Sequence, residues 1–241
     1  QFDHRNTQLH DLDDGLLKDY DDSLKNFQKE HNLTIFHLMG QHVNYKQRYR
    51  TKQARFWASS YEDKRPELTN AQRKMLSHYD NATLYNDSIV AQIVKRFQKQ
   101  DAIVIYVPDH GEECYEENRG FICRNHSAEI DWPLAHYEFE IPFWIYCSPK
   151  YIRNHRDIYR QIRKVKDKRF MTDALPHLLL YLAGIETPTY KEEYNILSPK
   201  YDEMRPRILK NSADYDKLRD AHLEKIKKEE SKKVKKKERR N

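Results

Sequence analysis

The sequence predicts an α/β fold, a mostly parallel sheet flanked by helices, and three observations carry that prediction. An uncharged run of Ile, Val and Tyr at residues 102–107 stops abruptly on Asp109-His110-Gly111-Glu112-Glu113. Such a run reads as a strand covered on both faces, with polar groups emerging at its C-terminal edge. Comparable apolar runs at residues 33–40 and 140–148 give two more strands. Amphipathic helical segments lie between these runs, so helix and strand alternate along the chain with no internal repeat, the order expected of a layered α/β sheet.

The elements follow in chain order. At residues 13–31 the apolar positions Leu16, Leu17, Tyr20, Leu24 and Phe27 recur at helical spacing and predict an amphipathic helix. The strand at 33–40 ends on Gly40-Gln41-His42, with His37 inside it as a core residue. Residues 45–67, rich in Arg, Tyr and Lys without a period, read as an irregular surface excursion. Leu84, Ile89, Ile93, Val94 and Phe97 supply the apolar face of a helix over 69–100. After the Asp109-His110 strand comes a polar loop over 112–136, long enough to point to function. The strand at 140–148 carries its proline near the start, where a missing N–H does least harm. Two helices follow at 151–166 and 172–183, the second with Thr172 as N-cap and Gly184 as its stop. A last helix begins near Ala213.

Composition bounds the partners. The chain has 241 residues, 38% hydrophobic and 34% charged, with 17 Tyr and 9 Phe to build a core. Nothing approaches the roughly 18 apolar residues in succession that a membrane span requires. The net charge of +6 is concentrated: ten Lys/Arg against three Glu lie between Lys225 and Arg240. Residues 1–210 are therefore expected to form the globular part and 211–241 a basic, helical or disordered tail. That tail has the charge to meet anionic headgroups or nucleic acid, although it lacks the interleaved aromatics that stack on bases. Cys114, Cys123 and Cys147 make neither a disulfide framework nor a zinc-finger spacing. Cys114 and Cys123 flank the loop and have the placement to pair under oxidising conditions. Reduced cysteine, acting as a small core residue, is the plainer reading.

Asp109 and His110 are the first candidates for chemistry. On a continuing strand they would point to opposite faces, but a turn at Gly111 lets both converge on one cation. A carboxylate oxygen and an imidazole nitrogen suit Zn²⁺ or a similar divalent ion. His42, at the end of the preceding strand, and His126, in the following loop, are the further candidates. His177 reads as a packing or surface residue.

Gly40-Gln41-His42, Tyr79-Asp80-Asn81-Ala82, Pro108-Asp109-His110-Gly111-Glu112-Glu113, Arg124-Asn125-His126, Glu140-Ile141-Pro142-Phe143-Trp144 and Thr172-Asp173-Ala174-Leu175-Pro176-His177 occur in this order. As an ordered set, extending to about Leu209, they resemble the C-terminal part of the catalytic domain of bacterial phosphoethanolamine transferases. These belong to the alkaline phosphatase and sulfatase superfamily. The resemblance implies an alkaline phosphatase-like fold and a site with one or two zinc ions. It implies transfer of phosphoethanolamine from a phospholipid donor to lipid A or another surface glycan, at the periplasmic face of the bacterial inner membrane. It assigns Asp109 and His110 to the zinc ligands, His42 and His126 to the transferred phosphate or a second metal, and Glu112 to a supporting position behind the ligands.

The family's nucleophile is a zinc-held Thr near the N-terminus of the catalytic domain, after membrane-spanning helices. Thr7, Thr34, Thr51, Thr69 and Thr83 do not stand in that context, so the role falls on none of them. The expectation is a chain equivalent to the second half of a catalytic domain, attached to the membrane only through the missing segment and inactive by itself. Two other readings stay open: a sulfatase or phosphodiesterase of the same superfamily, and a non-catalytic module with a partner-binding basic tail.

Overall fold

The computed structural model describes residues 10–23, 31–125 and 129–238. It divides into two compact units, one of Gln1–Val104, Cys114–Cys123 and Ser148–Lys150, the other of Ile105–Glu113, Arg124–Cys147 and Tyr151–Asn241. Of the expected first helix, α1 (Asp14–Ser23) is described. Leu24, Phe27 and His126 lie outside the described residues.

The first unit is organised by α2 (Asn70–Phe97). Thr69 starts it with a reciprocal cap: its hydroxyl accepts the Gln72 N–H at 3.3 Å, and the Gln72 side chain accepts the Thr69 N–H at 2.8 Å. Two of the four donors at the helix start that lack a partner are so satisfied. Ala82, Tyr85, Ile89 and Ile93 form a buried face against Leu17, Tyr45 and Tyr49. A second cluster gathers Tyr61, Leu68, Leu76, Cys114 and Tyr115.

Residues 45–67 are irregular as expected, but three tyrosines anchor them. They are mostly exposed, with short 3₁₀ turns at Tyr45–Gln47, Thr51–Gln53 and Ala58–Tyr61, but they are pinned to the core rather than loose. Tyr45, Tyr49 and Tyr61 are buried, each anchoring the segment by a large ring. Asn81 of α2 stitches it down, its carbonyl oxygen accepting N–H groups of Arg55 and Phe56 at 2.7 and 3.1 Å.

Residues 33–40 differ from expectation. None of the strands among the described residues pairs with them. Their alternation survives, with Phe36 and Leu38 half-buried against the α2 cluster. Leu33 is 78% and Ile35 70% exposed, and His37, expected in the core, is exposed as well. A strand pattern without a ladder partner keeps its period but buries a single face.

The remaining elements are β1 (Ile103–Tyr106), β2 (Glu113–Cys114), β3 (Ile122–Cys123), α3 (Trp132–Phe139), β4 (Trp144–Cys147), α4 (Pro149–Asn154), α5 (Arg156–Lys164), α6 (Leu175–Leu182), β5 (Ile208–Leu209), β6 (Ala213–Asp214) and α7 (Tyr215–Glu238). β1 pairs with β4, β2 with β3 and β5 with β6, in place of one continuous sheet. β1 is half-buried along its length and not covered on both faces. The expected loop at 112–136 holds the β2–β3 hairpin and the start of α3, and Cys114 and Cys123 are not joined by a disulfide.

In the second unit the expected helix at 151–166 is broken into α4 and α5 where His155 leaves helical geometry, at φ −126° and ψ 51°. The helix at 172–183 begins as a 3₁₀ turn, Thr172–Ala174, preceded by Met171, and Thr172 makes no side-chain cap. Gly184 does end it, at φ +65°. Leu178, Ile196 and Leu197 form one core here, and Ile130, Leu134, Ala135, Leu209 and Tyr215 another. The start of α7 belongs to the second core. Trp132 stacks on His222 of α7 with ring centroids 5.1 Å apart.

Asp216, in the first turn of α7, accepts from Arg207 at 2.6 Å and pairs with Arg169. The Arg207 hydrogen bond, outweighing burial, holds its carboxyl below the usual carboxylate range. A depressed folded-state pKa contributes stability above about pH 4, which is lost as pH falls through the folded value. Asp216→Asn should therefore cost about 2 kcal/mol at pH 7. In paired thermal melts the gap between variant and parent should close as the pH is lowered below 4; a gap independent of pH would refute the assignment.

Candidate metal centre

Asp109 and His110 follow β1, at the turn made by Gly111. The Gly111 N–H donates to the Glu138 carbonyl of α3 at 2.8 Å. A Cβ at Gly111 would stand 2.2 Å from the Tyr137 carbonyl oxygen, far inside van der Waals contact, so no larger residue fits. Glycine is required here by close approach of backbone to backbone.

That turn sets the chemistry of the pair. His110 Nδ1 lies 2.7 Å from the Gly111 carbonyl oxygen, which can only accept, so Nδ1 carries the proton. In the neutral ring the lone pair is then on Nε2, the arrangement that second-sphere hydrogen bonds impose on metal-ligating histidines. Nε2 is 3.5 Å from Asp109 Oδ2. Two ligands at zinc bond lengths of roughly 2.0–2.2 Å, set at a tetrahedral angle, are about 3.4 Å apart. The pair thus has the donor types and the separation of one edge of a zinc tetrahedron. The Asp109 side chain is 85% exposed, open to an incoming ion. Among the described residues no group of three or more His, Cys, Asp or Glu could hold a metal.

Glu138, which sequence reading passed over, positions two parts of this region. Its main-chain carbonyl receives Gly111, and its buried carboxylate accepts the Asn125 N–H at 2.6 Å. The residue before His126 is therefore fixed to the residue that fixes the Asp109-His110 turn. Its one sequence signal was a carboxylate at a helix position otherwise occupied by core residues such as Leu134 and Ala135. Glu112 is half-buried just beyond Gly111.

His42 belongs to the first unit, where it is exposed. A second unforeseen residue, buried Asp13, builds its turn: the Asp13 carboxylate accepts the N–H groups of Met39 and Gly40 at 3.0 and 2.9 Å. Gly40 sits at φ +51°, where a side chain is strained. Arg48 then donates to the His42 carbonyl at 3.1 Å. Thr69 and Thr83 are absorbed by α2, the first as its cap and the second donating to the Tyr79 carbonyl at 3.0 Å.

A sulfatase family model matches residues 3–185. The phosphoethanolamine transferase EptC of Escherichia coli O18:K1:H7 is 31% identical over 202 residues, covering 83% of this chain and 33% of that protein. The Kdo(2)-lipid A phosphoethanolamine 7''-transferase of Escherichia coli K12 is 32% identical over 162 residues, 66% of this chain and 27% of the other. The zinc complex of the C-terminal periplasmic domain of EptC from Escherichia coli superposes with a TM-score of 0.70 at 28% identity, over 89% of this chain and 60% of that one. The chain spans about a third of the length of the curated relatives it matches.

Gly111→Ala should cost about 1–3 kcal/mol through the forced clash with Tyr137. Gly120→Ala is the control: Gly120 has a positive φ but nothing near its Cβ position. Thermal melts should show the larger loss at Gly111, and equal losses would remove the close-approach argument.

Proposed function

Because the chain belongs to the sulfatase family and adopts the alkaline phosphatase-like α/β fold of phosphoethanolamine transferase domains, we propose that it carries one side of a zinc-dependent phosphoethanolamine transfer site. The observation that carries the reading is the Asp109–His110 pair, two borderline ligands held 3.5 Å apart at the end of β1. Asp109 Oδ2 and His110 Nε2 are the residues that would hold zinc. When bound, zinc supplies a Lewis acid that lowers the pKa of a coordinated hydroxyl and offsets charge on phosphoryl oxygens.

The chain's own groups orient that chemistry. Gly111 fixes the His110 tautomer, and Glu138 fixes the Asp109-His110 turn. His42 and His126 are proposed to face the transferred phosphate as hydrogen-bond donors, and Glu112 to support the ligands from behind. The donor proposed is a phospholipid, and the acceptor lipid A or a related glycan, in keeping with the lipid A transferase among the relatives. The setting proposed is the periplasmic face of the inner membrane, in keeping with the periplasmic structural neighbours. Among the described residues no helix is long and apolar enough to cross a membrane.

Zinc titration calorimetry tests the pair. This chain should bind zinc, and Asp109→Ala and His110→Ala should each weaken binding at least tenfold, within the range expected when a ligand or its support is lost. Unchanged affinity in both variants would overturn the assignment. Supplied with a phosphatidylethanolamine analogue, this chain alone should show no turnover. Zinc-dependent phosphodiester cleavage that disappears in Asp109→Ala would show instead that these residues suffice.

A further inference from the structure

Helix α5 carries a feature that the transfer site does not use. Arg156, Arg160 and Arg163 stand at i, i+4 and i+7 and so share one stripe. Arg153 of α4 and Lys164 extend it. The side chains of all five, with Ile152 and Tyr159, line one open groove of about 600 Å³ whose wall is almost wholly carbon, the stems of the cations rather than their charged ends, and which holds no carboxylate. The nearby acid, Asp157, is engaged by Arg160 at 3.0 Å and lies outside the groove. On the opposite face, Ile162 and Val165 pack against the Leu178 core, so the helix is fixed with its cationic stripe outward.

A packed helix that exposes a stripe of like charges beside an apolar groove accepts mutual repulsion, which a polyanion would relieve. Guanidinium forks match phosphate oxygens in pairs, more closely than an ammonium does. The half-buried Tyr159 adds an aromatic ring of the kind that sits at headgroup level. A cationic face with aliphatic stems and one aromatic, set on a rigid helix, has the anatomy of a surface that rests on anionic lipid.

From this exposed cationic stripe we infer that α4–α5 is a docking surface for the phosphate groups of an anionic phospholipid bilayer. It is separate from the Asp109–His110 pair and from the basic end of α7. The choice of a bilayer rests on the proposed use of membrane lipids. Vesicle binding and zinc binding are nevertheless separate measurements, so either can fail while the other holds.

The test is co-sedimentation of the full chain with vesicles of phosphatidylglycerol and phosphatidylcholine in equal parts, against phosphatidylcholine alone, in 0.1 M and 0.5 M NaCl. Each basic residue near an anionic surface contributes roughly fivefold in partitioning. Binding should require phosphatidylglycerol and fall steeply at the higher salt. The triple variant Arg156→Gln, Arg160→Gln, Arg163→Gln should weaken it roughly 100-fold. Arg156→Glu, which puts an acid in the first turn where the helix dipole favours it, gives a second variant with no folding penalty and should itself reduce binding. Lys225→Gln, Lys227→Gln, Lys228→Gln should leave most of the binding in place. Retention of binding by the triple variant, equal binding to neutral vesicles, loss through the α7 variant alone, or preference for a single-stranded oligonucleotide over the vesicles would each overturn the proposal.

Discussion

The approach of Gly111 to the last turn of α3 is the constraint on which the candidate centre rests. It brings two main chains so close that a Cβ would stand 2.2 Å from a carbonyl oxygen, and it is closed by the hydrogen bond from Gly111 to Glu138. From that contact follow the direction of the Gly111 carbonyl, the proton on His110 Nδ1, and the presentation of Nε2 beside Asp109. The same Glu138 holds the main chain one residue before His126. One backbone contact thus brings two adjacent residues, which a strand would have pointed apart, to one side.

A different device builds the His42 turn. There a buried carboxylate, Asp13, receives two successive N–H groups and replaces the ladder bonds that a strand end would make. This solution suits a segment that has kept its strand alternation without a strand partner among the described residues, and whose outer face exposes Leu33 and Ile35. The solved periplasmic domain of EptC extends well beyond the matched part, since this chain covers 60% of it.

Much of this was legible in the residues, for identifiable reasons. α2 announced itself because its buried positions recur at helical spacing and Thr69 and Gln72 form a reciprocal cap, both local properties. β1 and β4 were readable as apolar runs, and Gly184 as a helix stop, because left-handed backbone nearly demands glycine. The buried tyrosines at 45–67 were not readable, since an irregular segment has no period to reveal which face is inside. The break at His155 was hidden for a related reason: apolar spacing continues through it while the backbone does not. The β5–β6 hairpin escaped because two-residue strands carry too little pattern, although Lys210 and Asn211 adopt the left-handed turn it needs.

Residue types and order by themselves determined the fold class, the family and the identity of the candidate ligands. They could do so because ligand chemistry belongs to the side chain, and family likeness to the ordered set of motifs. Tertiary structure alone decided that Asp109 and His110 converge, that His110 Nδ1 meets the Gly111 carbonyl, and that Glu138 and Asp13 do the holding. Those outcomes depend on distances between segments far apart in the chain. Tyr137 meets Gly111 across 26 residues and Asp13 meets Gly40 across 27, and no local pattern encodes such an encounter.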